Sequence, residues 1–191
     1  ISTDEVFGTI KEGSATEVTR FNPSSPYAAT KASAELLINA YIVTYKIDAM
    51  ITRCTNNYGP RQFFEKLIPK AISLSINNKD IPIYGKGKSI RDWIFVEDHC
   101  EAIMSVLKNG VSGETYNIST SNEIDNLQVV NSILKILDKA EELIKFVPSR
   151  PGEDTRYSLD STKIRRELDW KPKVTFGEGL KKTIEWYQSN K

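Results

Sequence analysis

The sequence predicts an α/β fold. Two observations carry that prediction. Short apolar runs of strand length, at residues 49–54, 93–96, 114–118 and 143–147, alternate with longer segments of helical period. Between them stand turn and capping residues, with no internal repeat and no low-complexity linker. At 191 residues the chain is long enough for one substantial core, or for one domain and part of another.

Taken in order, Ser2-Thr3-Asp4-Glu5-Val6-Phe7-Gly8 reads as an exposed turn carrying a hydroxyl and two adjacent carboxylates. Ser24-Ser25-Pro26 starts a helix, with Ser25 as N-cap and Pro26 at the first helical position, where a missing N–H costs nothing. That helix is expected to reach Lys46, with Leu36, Leu37, Ala40 and Tyr41 on its apolar face. Residues 49–54 form a buried strand that empties into the polar loop Thr55-Asn56-Asn57-Tyr58-Gly59-Pro60. In open parallel sheets ligands sit at the carboxyl ends of strands, so this loop is a candidate for binding. A short helix over residues 65–77 precedes Pro82-Ile83-Tyr84 and the turn Gly85-Lys86-Gly87.

A second buried strand, residues 93–96, feeds a helix whose Cys100, Ile103, Met104 and Leu107 share one face and which Asn109-Gly110 ends. After the strand at 114–118, a helix from Asn126 turns Leu127, Val130, Leu134 and Leu137 inward. The strand at 143–147 follows. Asp160-Ser161-Thr162 opens a further helix, Lys171-Pro172 stops it, and a terminal helix carries Leu180, Ile184 and Tyr187.

Composition narrows the function. With 26 basic and 25 acidic residues, and no basic block, the electrostatic footprint of a nucleic-acid binder is missing. An anionic ligand must therefore be met by a few placed cations. No apolar run approaches the roughly 18 residues of a membrane span, and no signal peptide is visible, so a soluble, cytoplasmic protein is expected. Cys54 and Cys100 lie far apart in apolar contexts, which suits buried thiols in a reducing compartment. His99 is the single histidine, so no metal centre is expected. Ile1 is no natural initiator and no strand precedes the first motif, so the chain is expected to be the C-terminal portion of a longer protein.

Tyr27 and Lys31 share one face of a helix, where an ammonium can stabilise a phenolate and let tyrosine serve as a base. The spacing alone is a weak signal, since it recurs in Tyr84/Lys88 across a glycine turn and in Tyr187/Lys191 at the chain end, and such pairs also decorate solvated faces. Only Tyr27/Lys31 follows a well-formed helix start downstream of a hydroxyl-bearing turn. Asp4-Glu5 reads either as a solvated turn or cap, or as an acid and a base whose closeness drives their pKa values apart.

The motifs Ser-Thr-Asp-Glu-Val-Phe-Gly, Ser-Pro-Tyr-Ala-Ala-Thr-Lys-Ala-Ser, Thr-Asn-Asn-Tyr-Gly-Pro-Arg-Gln-Phe, Glu-Lys-Leu-Ile-Pro, Arg-Asp-Trp-Ile-Phe-Val-Glu-Asp-His and Arg-Pro-Gly-Glu-Asp-Thr-Arg-Tyr occur in this order over essentially the whole chain. Together they resemble the dTDP-glucose 4,6-dehydratases of the extended short-chain dehydrogenase/reductase family. The resemblance implies the C-terminal part of a Rossmann-type parallel-sheet fold with a smaller α/β substrate-binding domain. Residues 1–58 and 88–112 would belong to the first, and 59–87 and 113–191 to the second. It implies NAD as cofactor, held by Tyr27, Lys31 and Asn57, and a reaction in deoxysugar or rhamnose biosynthesis. Tyr27, with Lys31 and Thr3, would take the proton of the hexose C4 hydroxyl as hydride leaves C4. Glu5 would then remove the C5 proton, Asp4 would protonate the departing C6 hydroxyl, and hydride would return to C6.

The nucleotide sugar would be held by Asn56 or Asn57, Lys66, Leu67, the Pro82-Ile83-Tyr84 segment, Arg91, Asn126 and Arg150. Arg91 and Arg150 suit a diphosphate in a chain otherwise nearly neutral, although Arg91-Asp92 also reads as a local surface ion pair. His99 reads as structural or exposed, and Tyr157 and the tryptophans as packing. The chain departs from the family pattern at Phe7, where tyrosine is common, at Phe64, where proline is usual, and at Glu153, which stands in place of histidine near the diphosphate.

A dinucleotide fold also needs a glycine-rich turn between strand and helix. Gly85/Gly87 and Gly177/Gly179 are not set in that context, so this chain alone is expected not to hold NAD⁺ productively or to be active. Stoichiometric NAD⁺ binding by it would overturn that expectation. The resemblance also implies a homodimer, paired through the helix that carries Tyr27. The rival functions are another nucleotide-sugar 4,6-dehydratase, a 4-epimerase or a decarboxylase, and a nucleotide-sugar-binding module without catalysis. Loss of one water from the product separates dehydratase from epimerase, and binding without turnover marks the module.

Overall fold

In the computed structural model, which describes residues 1–149 and 152–190, three small sheets carry the strands. The first is parallel, ordered β1 (Ser2–Thr3), β2 (Ile51–Cys54), β6 (Thr115–Ile118). Its register sets Thr3 opposite Cys54 and Cys54 opposite Ile118, so the three strands end together. The second is ordered β3 (Asn56–Tyr58), β5 (Ile90–Phe95), β7 (Glu123–Asp125), with β3 parallel to β5 and β7 antiparallel to it. The third pairs β4 (Ile81–Tyr84) with β8 (Ile144–Val147) in parallel. The helices are α1 (Pro26–Tyr45), α2 (Leu67–Ile76), α3 (Val96–Asn109), α4 (Asn126–Leu137), α5 (Thr162–Leu168) and α6 (Phe176–Ser189).

β5 divides the core, because successive side chains leave a strand on opposite faces. Trp93 and Phe95 join Tyr58, Ile68, Ile72, Val130, Ile133, Leu180 and Ile184 under α2, α4 and α6. Ile94 faces the other way, into a cluster with Cys54, Ala102, Val106, Tyr116, Ile118 and Ile164. A third cluster, of Val6, Phe7, Ala15, Ala32 and Leu159, lies beneath the N-terminal turn.

The cap expected for α1 is where the chain places it, and α4 and α6 carry caps that the sequence reading did not name. Ser25 Oγ accepts the Ala28 N–H at 3.1 Å, and Pro26 opens α1. Asp125 with Gln128, and Thr175 with Glu178, form capping boxes ahead of α4 and α6.

Several expectations are corrected. The polar loop after β2 contains a strand, β3, and β7 is a further strand that the apolar runs do not mark. Leu36, Leu37 and Tyr41 are exposed, and α1 instead buries Ala28, Ala32 and Glu35. Small residues let α1 lie close against β1 and the turn that follows it, which the larger side chains on the opposite face would prevent. On α3 the buried positions are Asp98, His99, Ala102 and Val106, while Met104 and Leu107 face outward. Cys100 shares that outer face, so of the two thiols only Cys54 is buried.

Candidate active site

The first functional element is the 3₁₀ turn Asp4–Phe7. Thr3 caps it in an extended conformation, its Oγ1 accepting the Glu5 N–H at 3.3 Å and donating to Asp4 Oδ1 at 3.1 Å. Val6 and Phe7 anchor the turn in the core. Gly8 closes it at φ +61°, where a Cβ would stand 2.3 Å from the Asn22 carbonyl oxygen, so no other residue fits without moving the backbone.

The turn treats its two carboxyls differently. Asp4 is only 4% exposed, and its Oδ2 has no hydrogen-bond partner among the described residues. Burial pushes its pKa up to about 7, against the pull of the Thr3 hydroxyl, and the neighbouring Glu5 charge adds to the rise. Glu5 is half-buried. Burial raises its pKa too, Arg91 and Lys66 restrain it, and Asp154 adds to the rise.

Asp4 makes stability depend on pH with a definite sign. Its pKa in the folded chain lies above the ordinary aspartate value of 3.8, so between pH 3.8 and about 7 the folded chain binds more protons than the unfolded one. Stability therefore falls as pH rises through that window, by on the order of 4 kcal/mol from this group at its upper end. A thermal-unfolding series from pH 5 to 8 is expected to show this decline, and Asp4→Asn is expected to flatten it.

The Ser25 cap and Pro26 bring Tyr27 to the start of α1, beside this turn. Tyr27 as a whole is 53% exposed. Its pKa is raised, by burial first and then by Glu5, Cys54 and Asp4, while a hydrogen bond from Thr3 opposes the rise. Lys31 Nζ donates to the Ile1 carbonyl at 2.7 Å, which ties α1 to the edge of β1.

Next to the turn lies a cavity of about 370 Å³. It is lined by Glu5, Ser25, Asn56, Glu65, Lys66, Leu67, Lys70, Pro82 to Tyr84, Arg91, Asn126, residues 152–154 and Tyr157. Lys66, Lys70 and Arg91 supply its positive charge, and the amino end of α2 opens onto it at Leu67. Strand alternation separates the two asparagines of β3. Asn56 lines the cavity, whereas Asn57 Nδ2 turns back to Cys54 Sγ at 3.2 Å and the Thr55 carbonyl at 3.2 Å.

Arg91 is buried. Its Nη1 donates to the Ile90 carbonyl at 2.7 Å and its Nη2 to the Asp154 carbonyl at 2.7 Å, with the guanidinium 4.2 Å from the centre of the Tyr157 ring. Asp92, on the other face of β5, accepts the backbone N–H groups of Thr120, Ser121 and Asn122 and the Thr120 hydroxyl. The surface ion pair between Arg91 and Asp92 does not form.

Glu5, Asn56, Lys66, Leu67, Pro82, Tyr84, Arg91 and Asn126 thus share one cavity. Thr3, Asp4, Tyr27, Lys31 and Asn57 are not in its wall: Thr3 and Asp4 belong to β1 and the turn after it, Tyr27 and Lys31 to α1, and Asn57 to β3; Arg150 lies outside the described residues. Sequence reasoning missed Asp154 and missed Tyr157 as a wall of this cavity. Both sit in the Arg-Pro-Gly-Glu-Asp-Thr-Arg-Tyr run, whose density of charge outside any periodic segment was the available signal. Glu153 also lines the cavity and accepts the Ser89 hydroxyl at 2.8 Å. His99 is buried, its pKa lowered to about 4 by desolvation, and it is absent from the cavity wall. Gly85 and Gly87 form a tight turn after β4, and Gly179 packs inside α6 against Tyr58, so neither glycine pair opens a helix after a strand.

A family profile described as GDP-mannose 4,6 dehydratase matches residues 1–183. The chain belongs to that family. Among its relatives, the dTDP-glucose 4,6-dehydratase of Neisseria gonorrhoeae is 48% identical over all of this chain and 59% of its own length. That of Streptomyces niveus is 47% identical over all of this chain and 57% of its own. The chain therefore spans rather more than half the length of these family members. A crystal structure of the dTDP-glucose 4,6-dehydratase from Streptomyces venezuelae with NAD bound superposes with a TM-score of 0.97 at 44% identity, covering 99% of this chain and 59% of that one. A UDP-glucose 4-epimerase from Thermotoga maritima gives 0.93 at 27% identity, over 98% of this chain and 62% of that one. The α/β expectation and its Rossmann-type parallel sheet agree with these family structures. No helix among the described residues is long and apolar enough to cross a membrane.

Proposed function

We propose that the protein converts dTDP-glucose to the 4-keto-6-deoxy sugar, with NAD as its redox group. The observation that carries this reading is the unequal pair of carboxyls. Asp4, buried, with its pKa pushed up to about 7, holds a proton near neutrality. Glu5 faces the cavity, where burial raises its pKa and Arg91 and Lys66 hold that rise back. One carboxyl is suited to give a proton and its neighbour to take one, as elimination of water requires. A 4-epimerase has no departing hydroxyl to protonate.

This chain's residues fit the nicotinamide side of NAD. Among the described residues the Oδ1 of Asn57 and the Oγ of Ser2 are buried without hydrogen-bond partners, and Tyr27 stays half open. Tyr27, Lys31 and Asn57 would hold it. Bound there, NAD would supply a hydride acceptor for C4 of the sugar and a hydride donor for C6. Tyr27 takes the C4 hydroxyl proton, with the Thr3 hydroxyl bridging to the sugar. Once C4 is a carbonyl the C5 proton is acidic, and Glu5 removes it. Asp4 delivers its proton to the C6 hydroxyl, which leaves as water.

Lys66, Leu67, Asn56, Pro82, Tyr84, Arg91, Asn126 and Arg150 are assigned to the nucleotide and its diphosphate. Residues 1–58 and 88–112 are assigned to the dinucleotide-binding domain, and 59–87 and 113–191 to the nucleotide-sugar domain, with β6 crossing back to the first sheet. We assign the protein to deoxysugar synthesis in the cytoplasm, rhamnose being one end product. A homodimer would cover the exposed Leu36, Leu37 and Tyr41 of α1.

The deciding experiment incubates the complete gene product with NAD⁺ and dTDP-glucose in deuterated water. A product lighter by one water and carrying deuterium at C5 is expected. An epimer of unchanged composition would replace the dehydratase reading with the epimerase one, and recovery of untouched sugar would overturn both for this substrate.

A further inference from the structure

Asp154 is buried, 7% exposed, and the reaction as assigned makes no use of it. Its Oδ1 accepts the Thr9 hydroxyl at 2.7 Å. Its Oδ2 accepts the Tyr157 hydroxyl at 2.8 Å and also the Ser24 hydroxyl. Its carbonyl holds Arg91, and the next backbone N–H, of Thr155, donates to the same Thr9 hydroxyl at 3.1 Å. We propose that Asp154 is a positioning residue, which locks the nucleotide-sugar wall formed by Arg91 and Tyr157 to the turn that carries Asp4 and Glu5 and to the start of α1. The proposal rests on the dehydratase reading.

Each bond reaches a segment with a task. Thr9 directly follows Gly8, the hinge of the catalytic turn. Ser24 directly precedes the Ser25 cap that orients Tyr27. Tyr157 and Arg91 line the cavity. A sugar nucleotide seated against that wall is thereby held in register with the base and acid that act on its hexose, and small errors in such register are costly to rate.

A purely structural hub has no need of a charge. Among the described residues no lysine or arginine forms an ion pair with this carboxylate, which is held by three hydroxyls alone. What the charge does is act on Glu5. The groups that face Glu5 are Asp4 beside it, Arg91 on β5, Lys66 before α2, Tyr27 on α1, and Asp154 and Tyr157 in the wall. Asp154 opposes the two cations and keeps Glu5 more basic.

The test uses the complete protein with NAD⁺ and dTDP-glucose. Asp154→Asn removes the charge and keeps the shape: its amide oxygen can still accept the Ser24 and Tyr157 hydroxyls, while its NH2 donates to the Thr9 hydroxyl oxygen. It is expected to lower kcat on the order of tenfold with KM nearly unchanged, to move the acidic limb of the pH profile to lower pH, and to leave the thermal midpoint near that of the parent. Ser24→Ala removes one anchor and retains the charge. It is expected to lower kcat without moving the limb. A lower thermal midpoint in both variants, with kcat per folded enzyme and pH profile as in the parent, would reduce Asp154 to a structural role and overturn the proposal.

Amide exchange reads the clamp without turnover. dTDP is expected to slow exchange over residues 8–25 in the parent and not in Ser24→Ala. Equal slowing in both overturns the clamp. A parent that binds dTDP and forms no 4-keto-6-deoxy product overturns the dehydratase reading instead, and the exchange result then judges Asp154 by itself.

Discussion

Asp4→Asn is expected to lower the rate of water elimination by about 10² to 10⁴ while raising the thermal midpoint by several degrees at pH 8. The two effects have one cause. The Asp4 carboxyl is buried and leaves one oxygen without a hydrogen-bond partner, so carrying a charge there above about pH 7 opposes folding. Asparagine has nearly the same shape, keeps an acceptor for the Thr3 hydroxyl, and is never charged. It also has no proton to give. A residue retained only to hold the turn would lose stability when replaced, so stability gained together with activity lost is the signature of a group kept for its chemistry.

Glu5→Gln gives the complementary arm. In deuterated water, Asp4→Asn is expected to return substrate with deuterium at C5, because the base proposed at Glu5 is still present, whereas Glu5→Gln is expected to return substrate without it. Deuterium uptake by Glu5→Gln at the parent rate would reassign the base.

Local signals in the sequence were legible where the chain answers its own neighbours. Ser25 and Pro26 fix the start of α1 as read, whereas the capping boxes of Asp125 and Thr175, equally local, went unread. The site residues that a motif places next to a strand end, such as Glu5, Asn56 and Arg91, also fall together in the cavity. What stayed hidden was decided at long range. β7 is a three-residue strand whose only claim to be one is its pairing with β5, and Asn56 and Asn57 differ only in which side of a three-residue strand they leave. On α1 the apolar stripe was legible but its direction was not, because two alanines and a glutamate, not the leucines, face the sheet. Asp154 joins segments about 130 to 145 residues away, and no periodicity announces such a partner.

That buried glutamate is the second place where a large effect is expected. Glu35→Ala should destabilise the fold by about 3–5 kcal/mol, measured as the shift in urea unfolding. Glu35 is 3% exposed in the middle of α1, and Arg53 of β2 meets it with Nε at 3.0 and 2.9 Å and Nη2 at 2.6 Å. Arg53 Nη1 donates to the Glu17 carbonyl at 3.0 Å, and the Phe7 and Phe21 rings lie 5.0 and 5.1 Å from the guanidinium. With the carboxylate removed, Arg53 keeps one carbonyl and two aromatic faces but no counter-charge, in a place that water does not reach. The penalty is that of an orphaned charge, not the worth of the pair, since exchanging both residues for apolar ones of similar volume is often close to neutral. Glu35→Met combined with Arg53→Met should therefore recover much of what Glu35→Ala loses. If the single and double variants lose the same stability, the cost lies in packing and not in charge. The same ion pair sets α1 against β2, and Tyr27 and Lys31 ride on that helix. The double variant is accordingly expected to regain stability faster than it regains kcat, because an apolar contact fills the space without fixing the helix register that the directional bonds of Arg53 define.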